Sequence, residues 1–83
     1  MITEGDLKKL ICDRFLDSDY EFPLEPDTQL VEEGICDSLG LVRLAAEVEK
    51  RCDGVKIADQ EITREQFGSI AAILALLDKK RPR

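Results

Sequence analysis

Ser38 is the side chain of this sequence whose setting suggests chemistry. It follows Asp37, a good helix N-cap, and opens a run whose apolar residues Leu41, Leu44, Ala45, Val48 and Cys52 recur at helical spacing. The spacing therefore predicts Ser38 at the first position of a helix, after a flexible Gly34-Ile35-Cys36 approach. A helix start gathers unpaired N–H groups and partial positive charge, which favours a phosphate bonded there. On residue types alone, Ser38 also reads as a second capping residue, because serine is common at helix starts. It does not read as a nucleophile: the sequence has no histidine, and nothing beside Ser38 could take its proton.

The remaining reactive groups are poorly equipped. Cys36 has no histidine to activate it, and its acidic neighbours raise a thiol pKa. Cys12, Cys36 and Cys52 are odd in number and lack CxxC spacing, which argues against a disulfide framework and against a zinc site. Glu32 and Glu33 belong to a stretch rich in acids and read as solvated surface. The five glycines are scattered and form no phosphate-cradling loop.

The formal net charge is −6, and its distribution is uneven. Between Asp13 and Asp37 nine carboxylates face a single basic residue, Arg14, whereas Lys79, Lys80, Arg81 and Arg83 crowd the end. Such a field repels phosphate backbones and speaks against nucleic-acid binding, while it steers partners with basic faces. The longest apolar run, Ile70 to Leu77, has eight residues, too short to span a membrane, and no signal peptide is apparent. A reducing cytoplasm and a monomer fit these features.

The elements that would position Ser38 follow from periodicity and caps. Thr3, with Asp6 three residues on, opens a first helix over residues 4–16 whose apolar side is Leu7, Leu10, Ile11 and Phe15. Asp17 to Thr28, with Pro23 and Pro26, reads as a long surface loop, tacked to the core by Leu24 and Leu30. The second helix spans 38–51 and ends at Asp53-Gly54. A short helical turn is expected over 59–62. Thr63 and Gln66 form a capping box for a last helix over 64–79, with Pro82 beyond it. Its set Phe67, Ile70, Ala71, Ile73, Leu74 and Leu77 should be the most buried. The expected fold is all-α: an irregular four-helix bundle of three long helices and one short one, with a long first loop. The expected organisation is one domain over 1–78 and a solvated basic tail over 79–83.

The segment Leu30-Val31-Glu32-Glu33-Gly34-Ile35-Cys36-Asp37-Ser38-Leu39-Gly40-Leu41-Val42 resembles the phosphopantetheine attachment segment of acyl carrier proteins, centred on Asp-Ser-Leu. The resemblance extends to Leu7-Lys8-Lys9-Leu10-Ile11, to the acidic loop, to Val55-Lys56-Ile57-Ala58-Asp59 and to Ile62-Thr63. It implies that Ser38 receives 4′-phosphopantetheine from coenzyme A through a separate phosphopantetheinyl transferase, with Asp37 beside it. The arm would then hold acyl or aminoacyl cargo as a thioester. A loading ligase and acyl-transferring or condensing enzymes would do the chemistry, and the chain itself would not be an enzyme. Leu39, Leu41, Val42, Arg43, Glu47 and Ile57 are the residues expected to meet those partners or the cargo.

The departures from the family bear on the pathway. Carriers of fatty-acid synthesis usually show acids in the turn after the serine, where this sequence has Gly40 and Arg43; Glu47 and Glu49 remain. The Glu-Glu-Gly-Ile-Cys-Asp-Ser-Leu-Gly run and Ile62 to Ile70 look more like freestanding carriers of D-alanyl, aminoacyl or specialised polyketide units. A helical interaction module without carrier activity, or a small enzyme, are the readings from other classes.

Overall fold

The computed structural model describes residues 2–52 and 55–80. Four α-helices occur among them: α1 (Glu4–Phe15), α2 (Ser38–Arg51), α3 (Arg64–Phe67) and α4 (Ile70–Lys80), with a 3-10 turn at Asp59–Glu61. No strand is present among the described residues, and the all-α bundle with three long helices and a long first loop is as expected.

Local capping chemistry sets the helix starts. Thr3 Oγ1 accepts from Asp6 N and Asp6 Oδ2 accepts from Thr3 N, a reciprocal box that fixes the start of α1. At its other end, Asp17 and Ser18 adopt left-handed φ values of 50° and 61°, and Ser18 N turns back to Cys12 O at 2.9 Å. Thr63 Oγ1 accepts from Gln66 N, so only the forward half of the expected box is formed among the described residues. Leu7, Leu10 and Ile11 of α1, Leu44, Ala45 and Val48 of α2, and Phe67, Ile70, Ile73 and Leu77 of α3 and α4 share one core, with Leu24 and Leu30 of the loop buried beside them.

The last helix departs from expectation: it is broken at Gly68-Ser69 into α3 and α4. Two long-range backbone bonds hold the break. Leu30 N donates to Gly68 O at 2.8 Å, and Ala71 N donates to Pro26 O at 2.9 Å. Both come from the first loop, which takes ladder positions that a continuous helix would use for itself. Ser69 Oγ then caps Ala72 N at 3.1 Å. A Cβ on Gly68 would lie 2.2 Å from Arg64 O, so this turn needs a residue without one. The break also rotates the apolar face: Leu76 is buried, whereas Ala71, expected inside, is exposed.

Asp53, Gly54, Arg81, Pro82 and Arg83, invoked as helix ends and tail, lie outside the described residues. Lys79 and Lys80 are the last residues of α4, and Lys80 Nζ lies 2.7 Å from Glu61 Oε1.

Candidate functional site

Ser38 is the first residue of α2 and is exposed. Asp37 is the N-cap in extended backbone conformation, and its Oδ1 accepts from Gly40 N at 2.7 Å. That single bond fixes the direction of the helix start and leaves the hydroxyl of Ser38 facing outward. The first turn of α2 carries no acidic side chain. The helix is 14 residues long; with the Gly40 amide taken by Asp37, its dipole and the amides of Ser38 and Leu39 remain to favour an anion bonded to Ser38 Oγ.

The chain has three serines, and their settings differ. Ser69 is buried, with its hydroxyl oxygen committed to Ala72 N. Ser18 sits at a left-handed position and donates to Asp13 Oδ1 at 3.2 Å. Ser38 alone combines exposure with a helix N-terminus.

The approach to Ser38 hangs from one residue. Ile35 N and Cys36 N both donate to Leu30 O, at 2.9 and 3.1 Å, while Leu30 N is held by Gly68 O. Gly34 takes φ 75°, a left-handed turn that glycine adopts without strain. The loop therefore delivers Asp37 and Ser38 from a backbone tied into the core.

Beside Ser38 lies a groove of about 550 Å³, bounded by Phe15 from α1, Val31, Ile35 and Cys36 from the loop, and Leu39 and Arg43 from α2. Its floor requires glycine. A Cβ at Gly40 would lie 2.7 Å from Cys36 Cβ and 3.1 Å from Phe15 Cε1. Val31 and Gly40 belong to the expected attachment segment, whereas Phe15 was expected only in the core. Phe15 at the end of the α1 apolar stripe was the available signal, since that end must meet the start of another element. Cys36 is half-buried, and burial first, then the nearby Asp37 carboxylate, pushes its thiol above the ordinary value. It remains a protonated, dull neighbour of Ser38.

The expected partner-facing residues separate into two groups. Leu39 and Val42 are exposed at 70% and 49%, and Arg43 is exposed at the groove rim. Leu41 and Ile57 are instead buried, at 3% and 8% exposure. Leu41 lies on the inward arc of α2 with Leu44, Ala45 and Val48, and Ile57 is drawn inward where its N–H donates to Glu49 Oε2 at 2.6 Å. Both serve the core and not a docking face. Glu47 is half-buried and pairs with Arg14 at 3.5 Å.

An exposed hydroxyl at a helix start, no charge-bearing side chain in that first turn and an adjoining groove are a fit for a phosphodiester-linked arm. No group of three or more metal-ligating side chains and no helix long and apolar enough to cross a membrane occurs among the described residues. No curated protein and no solved structure matches the chain. A family model described as a phosphopantetheine attachment site matches residues 7–77. Domains of that family are generally non-catalytic carriers that work with phosphopantetheinyl transferases and biosynthetic enzymes. With the match running from α1 to α4 and across the Asp37-Ser38 turn, the chain belongs to the phosphopantetheine-attachment family, whose domain is the attachment site for the 4′-phosphopantetheine prosthetic group.

Proposed function

We propose that Ser38 Oγ carries the 4′-phosphopantetheine arm and that the protein is an acyl or aminoacyl carrier of a specialised pathway, acting as a cytoplasmic monomer. The observation that carries the reading is the position of Ser38: it is the exposed serine at the start of a long, capped helix. In the loading step Ser38 Oγ attacks the phosphorus of coenzyme A that bears the pantetheine. The bond from that phosphorus to the adenosine bisphosphate breaks, and the serine proton passes to a base of the transferase. The chain offers no such base, since it has no histidine and Asp37 is turned to Gly40 N. Once bound, the arm supplies a terminal thiol for thioester linkage to the cargo. Asp37 orients the helix start, the amides of Ser38 and Leu39 would favour the phosphate at that end, and Leu39 and Val42 would offer apolar surface beside it.

The specialised assignment rests on the absence of acidic side chains in the first turn of α2 and on Arg43, together with the cargo classes named by resemblance: D-alanyl, aminoacyl or polyketide units. The test is to incubate the protein with coenzyme A and a broad-specificity phosphopantetheinyl transferase and to map the adduct by peptide mass spectrometry. The adduct is expected on Ser38. An adduct on Ser18, or none, would sink the reading. Offering the loaded protein to a panel of adenylating ligases with acyl and aminoacyl substrates then identifies the cargo class.

A further inference from the structure

Helix α2 has two faces. Leu41, Leu44, Ala45 and Val48 turn inward, and the opposite arc exposes Leu39, Val42, Arg43, Ala46 and Lys50. At 100° per residue those five fall within an arc of about 100°, one continuous strip running away from Ser38. The strip carries no uncommitted carboxylate among the described residues. The two acids of α2 lie at its edges, and both are engaged within the molecule. Glu47 pairs with Arg14 at 3.5 Å and, more loosely, with Lys50 at 3.9 Å. Glu49 Oε2 accepts from Ile57 N. The next basic residue, Arg51, is set off from the strip beside Asp6 and Asp13 of α1. Arg43 forms no ion pair among the described residues. The strip is therefore apolar and cationic on a protein whose net charge is −6. The acids concentrate elsewhere, and the exposed Glu32 and Glu33 stand in the loop before Ser38.

We infer that enzymes engaging this protein along α2 present an apolar docking face with carboxylates opposite Arg43 and Lys50, the reverse of the polarity that the overall charge suggests. This rests on the reading of Ser38 as the arm-bearing residue, because a partner must approach that end of α2. Charge complementarity selects the partner: a basic face brought onto the strip meets Arg43 and Lys50, and like charges brought together oppose both encounter and register.

The test uses one probe enzyme in two forms. The first is a condensing enzyme whose carrier-docking face is lined by lysine and arginine. The second is the same enzyme with those residues changed to glutamate. Association rates with the unmodified carrier are measured by surface plasmon resonance at low and high salt, so that the docking polarity is read independently of the arm. Loading of Ser38 is checked separately by intact mass, which keeps failure of the site assignment distinct from failure of the polarity. The wild type is expected to associate at least about 5-fold faster with the acid-lined form at low salt, an advantage that shrinks as salt screens it. Arg43→Glu/Lys50→Glu should invert the preference, and Glu32→Lys/Glu33→Lys should leave its order unchanged. A wild-type preference for the basic-lined form would overturn the inference. So would a preference governed by Glu32 and Glu33, which would place docking on the loop. Concentration-dependent self-association abolished by Arg43→Glu would assign the strip to a second copy of the chain and overturn it equally.

Discussion

The carboxylate of Asp37 and the amide of Gly40 meet at 2.7 Å, and the space around that bond is full: a methyl group on Gly40 would sit 3.3 Å from the accepting oxygen and closer still to Cys36 and Phe15. Gly40→Ala gains about 0.5–1 kcal/mol of helix propensity. Overpacking of about 1–3 kcal/mol should exceed that gain and destabilise the protein. Gly5→Ala, in the first turn of α1, meets nothing nearer than Thr3 Oγ1 at 3.8 Å and should raise the melting temperature. Thermal melts of both variants check this; a stabilised Gly40→Ala would show that the Asp37 turn is looser than its geometry.

Ser38→Ala should leave the fold almost untouched, because the cap is Asp37. The stability loss should stay below about 1 kcal/mol, whereas Asp37→Ala should cost about 0.5–2 kcal/mol through the lost cap. Urea midpoints separate the two. Intact masses after incubation with coenzyme A and a transferase should show no adduct on Ser38→Ala and slower modification of Asp37→Ala.

Leu44 of α2 and Ile70 of α4 are both buried in the core. Truncation of either to alanine should cost about 2–5 kcal/mol. A domain of this size has a total of only about 5–8 kcal/mol, so the urea midpoint should fall visibly. Leu39→Ala, on the exposed arc, should change stability by about 0.5 kcal/mol or less. Equal effects at Leu39 and Leu44 would contradict the helix phase.

The Glu61 carboxyl is held below its ordinary value of 4.5, first by Lys80 and then by the amide of Ala58. A depressed folded pKa contributes stability that is fully present above the unfolded value and is lost as pH falls through the folded one. Glu61→Gln should therefore lower stability at neutral pH and flatten the decline below pH 4.5. Denaturation midpoints between neutral pH and acid check the slope; an unchanged slope would mean that the ion pair contributes nothing.

The starts of α1, α2 and α3 were legible because a cap is local: Thr3, Asp37 and Thr63 each bond the amide three residues ahead. The same locality made the direction of Ser38 readable. The break at Gly68 was not, since a lone glycine in an apolar run is compatible with a continuous helix. It is decided by Leu30 N and Pro26 O, groups about forty residues upstream. Leu41 and Ile57 were misjudged because apolar residues near Ser38 look alike in type. Helix phase, which sets Leu41 across the axis from Leu39, settles the first, and the bond between Ile57 N and Glu49 settles the second. The groove beside Ser38 joins Phe15 to Arg43 across two helices, and no single stretch of sequence contains it.

Leu30 has a mechanical role. Its N–H is anchored to the Gly68 turn and its carbonyl carries the amides of Ile35 and Cys36, so a single peptide unit on each side of one α-carbon links the last two helices to the segment that delivers Ser38. The same residue thus ties the approach to Ser38 to the junction of α3 and α4, while Pro26 O holds the loop ahead of it to α4 through Ala71 N. On the proposed reading of Ser38, an arm attached there would start from a turn tied into the core, and its freedom of movement would begin beyond that serine.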